Sequence, residues 1–255
     1  MNSGAIQVRR DGAFAEVILA NPGKRNALSS DVIRELVEAF EEVGRGDARG
    51  AILGATGPVF CAGHDYEDMI GRDLGGMQSL LLECTRLMRT IQGLPQPVVA
   101  RVQGLATGAG CQMALSCDLV VAAEEAAFAT PGGKGGWFCT TPMIALTRAL
   151  GSKRALEMLF TGEPVPARQA YEWGMINRVV PAEQLAGETK ALLERATVGS
   201  PVAKAIGKRA FYAQVDLDLE KAYAYAVEVM ASSAMLPDAQ RAFEAFLQRK
   251  ERRRA

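Results

Sequence analysis

The sequence predicts an α/β protein: a spiral of strand-strand-helix units followed by a helical C-terminal region. Three observations carry this expectation. Apolar runs of strand length recur with short links up to residue 123, helical apolar stripes alternate with them, and beyond residue 142 strand patterns nearly vanish.

Gln7 to Ala20 alternates around Asp11-Gly12, as an N-terminal hairpin should, and Asn21-Pro22-Gly23 then breaks the strand. From Ser30 a helix carries Val32, Ile33, Leu36, Val37, Phe40 and Val43 on one face, with Asp31 near its positive end. Residues 50–55 are a short apolar strand. After Gly57-Pro58, the stretch Val59 to Asp65 leaves the sheet into a loop. Met77 to Ile91 is helical, with Leu80, Leu81, Cys84, Leu87, Met88 and Ile91 as its buried stripe. Pro97 to Val102 is the next strand, the glycine-rich stretch from Gly104 runs directly into the next helix, and Asp118 to Ala123 is a strand again. Helical patterns follow at 142–150, 152–160, 166–173 and 181–197, where Pro181 suits a first helical position, and then at 201–214, 217–235 and 238–250. Phe211, Tyr212, Tyr223, Tyr225, Met230, Phe243 and Phe246 make this tail too apolar to stand free in water, so it covers its own core or a partner's. Residues 1–197 read as the core and 198–255 as a helical region that closes the pocket and assembles subunits. No low-complexity linker separates them.

At 255 residues and 49% hydrophobic composition, the chain can bury a large core. Lys plus Arg equals Asp plus Glu at 29 each, so no global field draws it to nucleic acid or to an anionic membrane. The local exception, Arg249 to Arg254, reads as a solvated helix end, with an RNA or phosphate contact through Arg252, Arg253 and Arg254 as the alternative. No stretch reaches the ~18 apolar residues of a membrane span, and the N-terminus lacks an apolar signal core, so a cytoplasmic protein is expected. Five cysteines without CxxC or Cys/His spacing read as reduced thiols. With His64 as the sole histidine, a His-based zinc site is excluded and no metal is expected.

The stretch Gly104 to Asp118 is the most informative. Glycines let backbone N–H groups turn toward an anion at a helix start, where unpaired donors and a positive dipole end coincide. A nucleotide loop would need a Lys-Ser/Thr pair where the chain has Cys111-Gln112. An oxyanion role and a plain tight turn both remain open on pattern alone.

Asn21 to Leu28, Phe60 to Asp65, the 102–118 segment, Phe128-Ala-Thr-Pro131 and Leu159 to Glu163 occur in the order and at the spacing of the enoyl-CoA hydratase/isomerase, or crotonase, superfamily, which the chain resembles over nearly its whole length. It is most similar to a branch with comparable Gly-His-Asp, Ala-Gly-Cys-Gln and Phe-Ala-Thr-Pro-Gly stretches. The resemblance implies a spiral of ββα units and a homotrimer or a hexamer made of two trimers. It implies an acyl-CoA thioester as partner, with coenzyme A entering as part of the substrate and no permanently bound cofactor. It also places coenzyme A over Lys24, Arg25, Ala27 and Leu28, with Ala62 and Asp65 beside it. The thioester carbonyl is then held by the backbone N–H groups of His64 and Ala109, an oxyanion hole in which one donor is typically worth ~3–4 kcal/mol.

Hydratases of this family resemble a two-glutamate machine, and here the two positions are Gln112 and Gly132. Neither exchanges a proton near neutral pH, and each lost acid–base group typically costs ~10²–10⁴-fold in rate. Standard hydration is therefore not expected. Steps needing mainly enolate stabilisation (isomerisation, decarboxylation, thioester hydrolysis) or non-catalytic binding are the alternatives. Gln112 either orients a water or packs. The His64 ring either faces the acyl group or bonds locally to Asp65, whose default role is a helix N-cap. Cys139, beside a helix start, is a candidate nucleophile or acid with a lowered pKa, against the reading of a small buried hydrophobe. Cys61, Cys84, Cys111 and Cys117 read as packing residues and Glu163 as structural. Trp137 and Phe138 wall the acyl pocket or fill the core beneath it. Lys204 and Lys208, four apart, either meet CoA phosphates or form a solvated face.

Overall fold

The computed structural model describes residues 4–252, with side chains described through residue 249. The chain opens with an antiparallel hairpin, β1 (Ile6–Asp11) and β2 (Phe14–Leu19), turned at Gly12 with φ +58°, a conformation that glycine adopts without strain. Helix α1 (Ser30–Arg45) begins at an N-cap where Ser29 Oγ accepts from the Val32 N–H, and it buries all six apolar residues of its expected stripe. Burial of each large member of that stripe contributes about 1.5–3 kcal/mol. Then come β3 (Gly50–Ala55), β4 (Val59–Cys61), α2 (Tyr66–Met69), α3 (Leu74–Gly93), β5 (Val98–Val102), β6 (Leu105–Thr107), α4 (Ala109–Ser116), β7 (Leu119–Ala123) and β8 (Ala127–Ala129).

Successive strands enter different sheets. The first sheet has the order β1-β2-β3-β5-β7-β10, where β10 is Arg178–Val180, and it is parallel from β2 onward. The second has the order β4-β6-β8-β9, where β9 is Val165–Pro166, and it is parallel except for β8 with β9. Each winding, β3-β4, β5-β6 and β7-β8, thus adds one strand to each sheet before a helix returns the chain, which is the expected spiral of ββα units.

The remaining helices are α5 (Pro142–Ala149), α6 (Ser152–Thr161), α7 (Ala167–Glu172), α8 (Leu185–Ala196), α9 (Pro201–Gln214), α10 (Leu219–Ala234) and α11 (Pro237–Arg252). Three details differ from expectation. Strands β6, β8, β9 and β10 are two or three residues long, too short to show an alternating pattern. The 181–197 helix starts only at Leu185, because Pro181 is extended (ψ 146°) and caps a 3₁₀ turn at Ala182–Gln184. Helix α3 starts three residues before Met77, because Asp73 Oδ1 accepts from the Gly76 N–H at 2.7 Å.

Helix α9 is locked to the sheet by a buried polar cluster. Lys208 Nζ lies 2.7 Å from Asp118 Oδ2 and donates to the carbonyls of Ile91 and Gln96, while Tyr212 donates to Asp118 Oδ1 and the Val98 N–H to Oδ2. Burial lowers the Lys208 pKa and raises that of Asp118, against the attraction between them. Beyond α9 the apolar residues turn outward: Tyr223, Met230, Phe243 and Phe246 are all exposed. Among the described residues no helix is long and apolar enough to cross a membrane. Arg249 donates to the Ala245 carbonyl. The Arg252 side chain, Arg253 and Arg254, which carried the alternative reading of the basic end, lie outside the described residues.

Candidate active site

Two neighbouring loops and one helix start build the site, around a cavity of about 150 Å³ that the second loop and the helix start line and the first loop does not. The first loop, Asn21 to Leu28, contains two non-glycine residues at positive φ, Arg25 (52°) and Asn26 (55°). The buried Asn26 side chain holds this conformation: Oδ1 accepts from the Asn21 N–H, and Nδ2 donates to the carbonyls of Thr56 and Val59. The loop is stitched to the second one, Ala62 to Asp65. The Ala62 N–H bonds to the Arg25 carbonyl, Leu28 N–H to Gly63 and Asp65 N–H to Leu28. Lys24 closes the outside, 3.3 Å from Asp65 and 2.8 Å from Glu67, and hydrogen bonding to Glu67 and then Asp65 raises its pKa.

The geometry of this bridge matters for His64. Leu28 uses its N–H and C=O on Gly63 and Asp65, so the N–H of His64 points away from Leu28, and it finds no acceptor among the described residues. Gly63 makes the next approach possible. At φ +86°, a side chain there would be strained, and its Cβ would lie 3.0 Å from the Thr107 carbonyl oxygen and 3.4 Å from the Ala109 nitrogen. The loop carrying His64 therefore sits directly against the start of α4. Ala109 is the first residue of α4, so its N–H has no intrahelical acceptor. Gly110 lets α4 lie close over β4, since a Cβ at 110 would overlap Cys61.

The cavity is walled by Leu81, Pro131, Trp137, Phe138 and Pro142, with Cys139, Thr140 and Thr141 at one side. Trp137 and Phe138 thus line the pocket. The His64 ring also lines it, 6.0 Å from the Trp137 ring centre, and makes no bond to Asp65. Both ring nitrogens are shielded from solvent and make no well-aligned hydrogen bond, although the Leu28 backbone lies close enough to act on the ring. Burial lowers the pKa of the ring, against the opposing effects of the Leu28 backbone and Asp68. Asp65 is the expected N-cap, its Oδ1 accepting from the Glu67 N–H at 3.0 Å.

Gln112 lies one turn into α4 and is buried, with Oε1 unpartnered. Thr130, immediately before the cavity-lining Pro131, is fully buried with an unpartnered hydroxyl. Its position in the Phe-Ala-Thr-Pro stretch was the available signal, but the hydroxyl itself escapes sequence reasoning. Gly132 is the second residue of the 3₁₀ turn Pro131–Gly135, and its carbonyl accepts from the Trp137 N–H. A Cβ there would overlap the Trp137 carbonyl oxygen and lie 2.8 Å from Cys139 Sγ.

Two expectations are corrected. The Cys139 thiol is raised by burial, not lowered, and the Gly132 N–H that donates to its sulfur at 3.4 Å offsets this only in part. The four other thiols are buried, with Cys61, Cys84 and Cys111 pushed up to about 12. Lys208 is not available to a phosphate, because it is spent on Asp118, and Lys204 lines a separate groove beside Pro97 and Pro201. Glu163 is exposed in a turn, its N–H bonded to Thr161 Oγ1.

The sequence pattern of the enoyl-CoA hydratase/isomerase family matches residues 9–254. The mouse enoyl-CoA hydratase domain-containing protein 3, mitochondrial, is 41% identical over 247 residues, covering 95% of this chain and 82% of its own. Among solved structures, an enoyl-CoA hydratase from Mycobacterium smegmatis superposes with a TM-score of 0.93 at 41% identity over 96% of both chains. Human enoyl-CoA hydratase domain-containing protein 3 gives 0.92 at 38%, over 96% of this chain and 98% of its own. The cytoplasmic expectation does not stand against these names, since the mouse, rat and human relatives are all called mitochondrial. Balanced charge and free thiols do not distinguish the two compartments. The agreement of sequence, winding and superposition over nearly every residue leaves one assignment: the chain belongs to the enoyl-CoA hydratase/isomerase family.

Proposed function

We propose that this chain binds an acyl-CoA thioester, with the carbonyl oxygen between the backbone N–H groups of His64 and Ala109. Coenzyme A then lies along Lys24 to Leu28 and Ala62 to Asp65. The observation that carries the reading is the close approach of two unused N–H donors, made possible by Gly63, at the mouth of a cavity of about 150 Å³. Preorganised donors of this kind favour the enolate-like oxyanion over the ground-state carbonyl. Gln112 and Gly132 supply no carboxylate, so the chemistry is an enolate-dependent step other than standard hydration, with a neutral imidazole and hydroxyl groups nearby in place of a glutamate pair. The chain also assembles with copies of itself, as a homotrimer or two stacked trimers, through the apolar faces of its last helices.

The test is a panel of crotonyl-, longer enoyl-, malonyl- and methylmalonyl-CoA, followed by mass spectrometry with binding in parallel. Ala109→Pro is the informative variant. Proline suits a first helical position and deletes one N–H, so the fold should persist while thioester binding and any turnover fall. Binding unaffected by Ala109→Pro would remove the oxyanion site from the reading. Tight binding of the parent with no turnover across the panel would leave a thioester-binding protein without catalysis.

A further inference from the structure

We infer that the groove between the end of α1, the entry to β5 and the start of α9 is a second ligand site, which takes a small phosphate monoester and reads its P–O–H proton with the Gln96 side chain. The groove holds about 240 Å³ and shares no lining residue with the cavity beside α4.

Three observations lead there. The first is an unused buried acceptor. Gln96 lines the groove with only 7% of its surface exposed, and its Nε2 donates to the Val43 carbonyl at 3.0 Å. That bond fixes which end of the amide is oxygen, and Oε1 is left shielded from water without a partner. Buried amide oxygens are normally bonded, so a ligand that satisfies this one must bring an O–H or N–H donor. The second is charge. Arg49 and Lys204 line the groove, and neither forms an ion pair among the described residues. Arg49 is already in place: its Nη2 donates to the carbonyls of Thr197 and Gly199, both at 2.8 Å, which hold the guanidinium without cancelling its charge. Asp47, the acidic residue lining the groove, lies 3.0 Å from Arg10. The negative end of α1 and the positive end of α9 meet here and oppose each other, so the side chains set the sign, and the groove favours an anion. The third is shape. A volume of about 240 Å³ equals that of about eight waters at ~30 Å³ each, room for a phosphate and a small organic residue, and Pro97 and Pro201 give it rigid apolar walls.

A phosphate monoester meets all three demands. Its second pKa is about 6, so near neutral pH it offers acceptor oxygens to Arg49 and Lys204 and, in its singly protonated form, one O–H to Gln96. A sulfate monoester has the same shape and no such proton.

The experiment is calorimetric titration of the full chain at pH 6 and fixed ionic strength with methyl phosphate, methyl sulfate and inorganic phosphate, repeated on Gln96→Leu and Lys204→Met. The expected result is one methyl phosphate per chain, bound at least about tenfold more tightly than methyl sulfate and no more weakly than inorganic phosphate. Gln96→Leu brings methyl phosphate down to the level of methyl sulfate, whereas Lys204→Met weakens both and leaves their ratio unchanged. Equal binding of the two esters in the parent would mean that water satisfies Gln96 and that the groove attracts anions without reading them, which overturns the inference. It is likewise overturned if the preference survives in folded Gln96→Leu, if inorganic phosphate binds more tightly than its ester, or if methyl phosphate binding is untouched by Lys204→Met, which would place the phosphate elsewhere on the chain. Gln96→Leu also loses the bond to Val43, so thermal unfolding reports whether it folds. Should it fail to fold, the ratio of the two esters in the parent and in Lys204→Met still decides the matter.

Discussion

At the scale of single residues, the site is defined as much by missing atoms as by present ones. Gly132 stands where the resemblance implies a glutamate in hydratases, and the space a Cβ would need there is filled by the Trp137 carbonyl and the Cys139 sulfur. Gly132→Ala should therefore destabilise by about 1–3 kcal/mol, the usual cost of overpacking, and Gly132→Glu by more, without creating hydratase activity. Gln112→Glu changes no volume and should fold. Urea midpoints and a crotonyl-CoA hydration assay check this, and a Gly132→Ala variant as stable as the parent would show that the turn gives way freely. His64 makes a separate prediction, because burial lowers its pKa below the usual 6.5 of a free imidazole. Above that value both folded and unfolded states are neutral, so stability is flat. Below it the unfolded chain takes up the proton first, and stability falls by up to about 1.4 kcal/mol per pH unit until the folded state also protonates. Asp68 opposes the shift, and the raised pKa of Asp118 acts with the opposite sign on the same curve. Thermal unfolding of parent and His64→Gln between pH 5 and 7 isolates the histidine: the acid limb should flatten in the variant, and an unchanged limb would assign it elsewhere.

At the scale of elements, α9 is fixed by chemistry more than by apolar area, since none of its residues is fully buried while Lys208 and Asp118 are largely shielded. Removing one partner of such a pair leaves an uncompensated charge, so Lys208→Met should cost about 3–5 kcal/mol. The exposed Lys204→Met, one turn earlier, should stay within about 0.5 kcal/mol. Chemical denaturation of both variants checks the contrast, and equal small losses would show that the cluster is dispensable. This pair also marks the limit of what the sequence conveys. Spacing placed Lys204 and Lys208 on one helical face, but only the packing of α9 beside α3 reveals that one reaches Asp118, 90 residues away in sequence. The long helices were legible because their apolar stripes repeat over several turns, as in α1 and α3. Leu81 broke the α3 stripe by lining the cavity, and the three-residue strands β6 and β8 were illegible because two or three residues cannot express a period of two. In the site, Ala109 at a helix start and the Asp65 cap followed from local rules. The unpartnered nitrogens of His64 and the closed space at Gly132 depend on segments brought together by the winding.

For the whole molecule, the unresolved question in the sequence was whether the apolar tail covers its own core or a partner's. On α10, Leu219, Tyr223, Val227 and Met230 recur at helical spacing on one face, and all four are between 60% and 77% exposed. On α11, Phe243, Phe246 and Leu247 form a second outward stripe. A helix earns an apolar stripe by burying it, and two adjacent stripes facing solvent exceed what single chains normally leave uncovered. Within the chain α10 touches α9 and α11 touches α10, so neither stripe is used on the core. The self-association proposed above would cover both stripes, each protomer packing its outward helices against a neighbouring copy around a symmetry axis. Sedimentation at micromolar concentration should give a closed oligomer, a trimer or a multiple of one. Tyr223→Glu combined with Met230→Glu should shift it to monomer, because each protomer would then bury two charges against their own copies. The unfolding midpoint of the parent should rise with protein concentration, whereas that of the double variant should be lower and independent of it. A monomeric parent with a concentration-independent midpoint would return these stripes to solvent and require a partner of another kind.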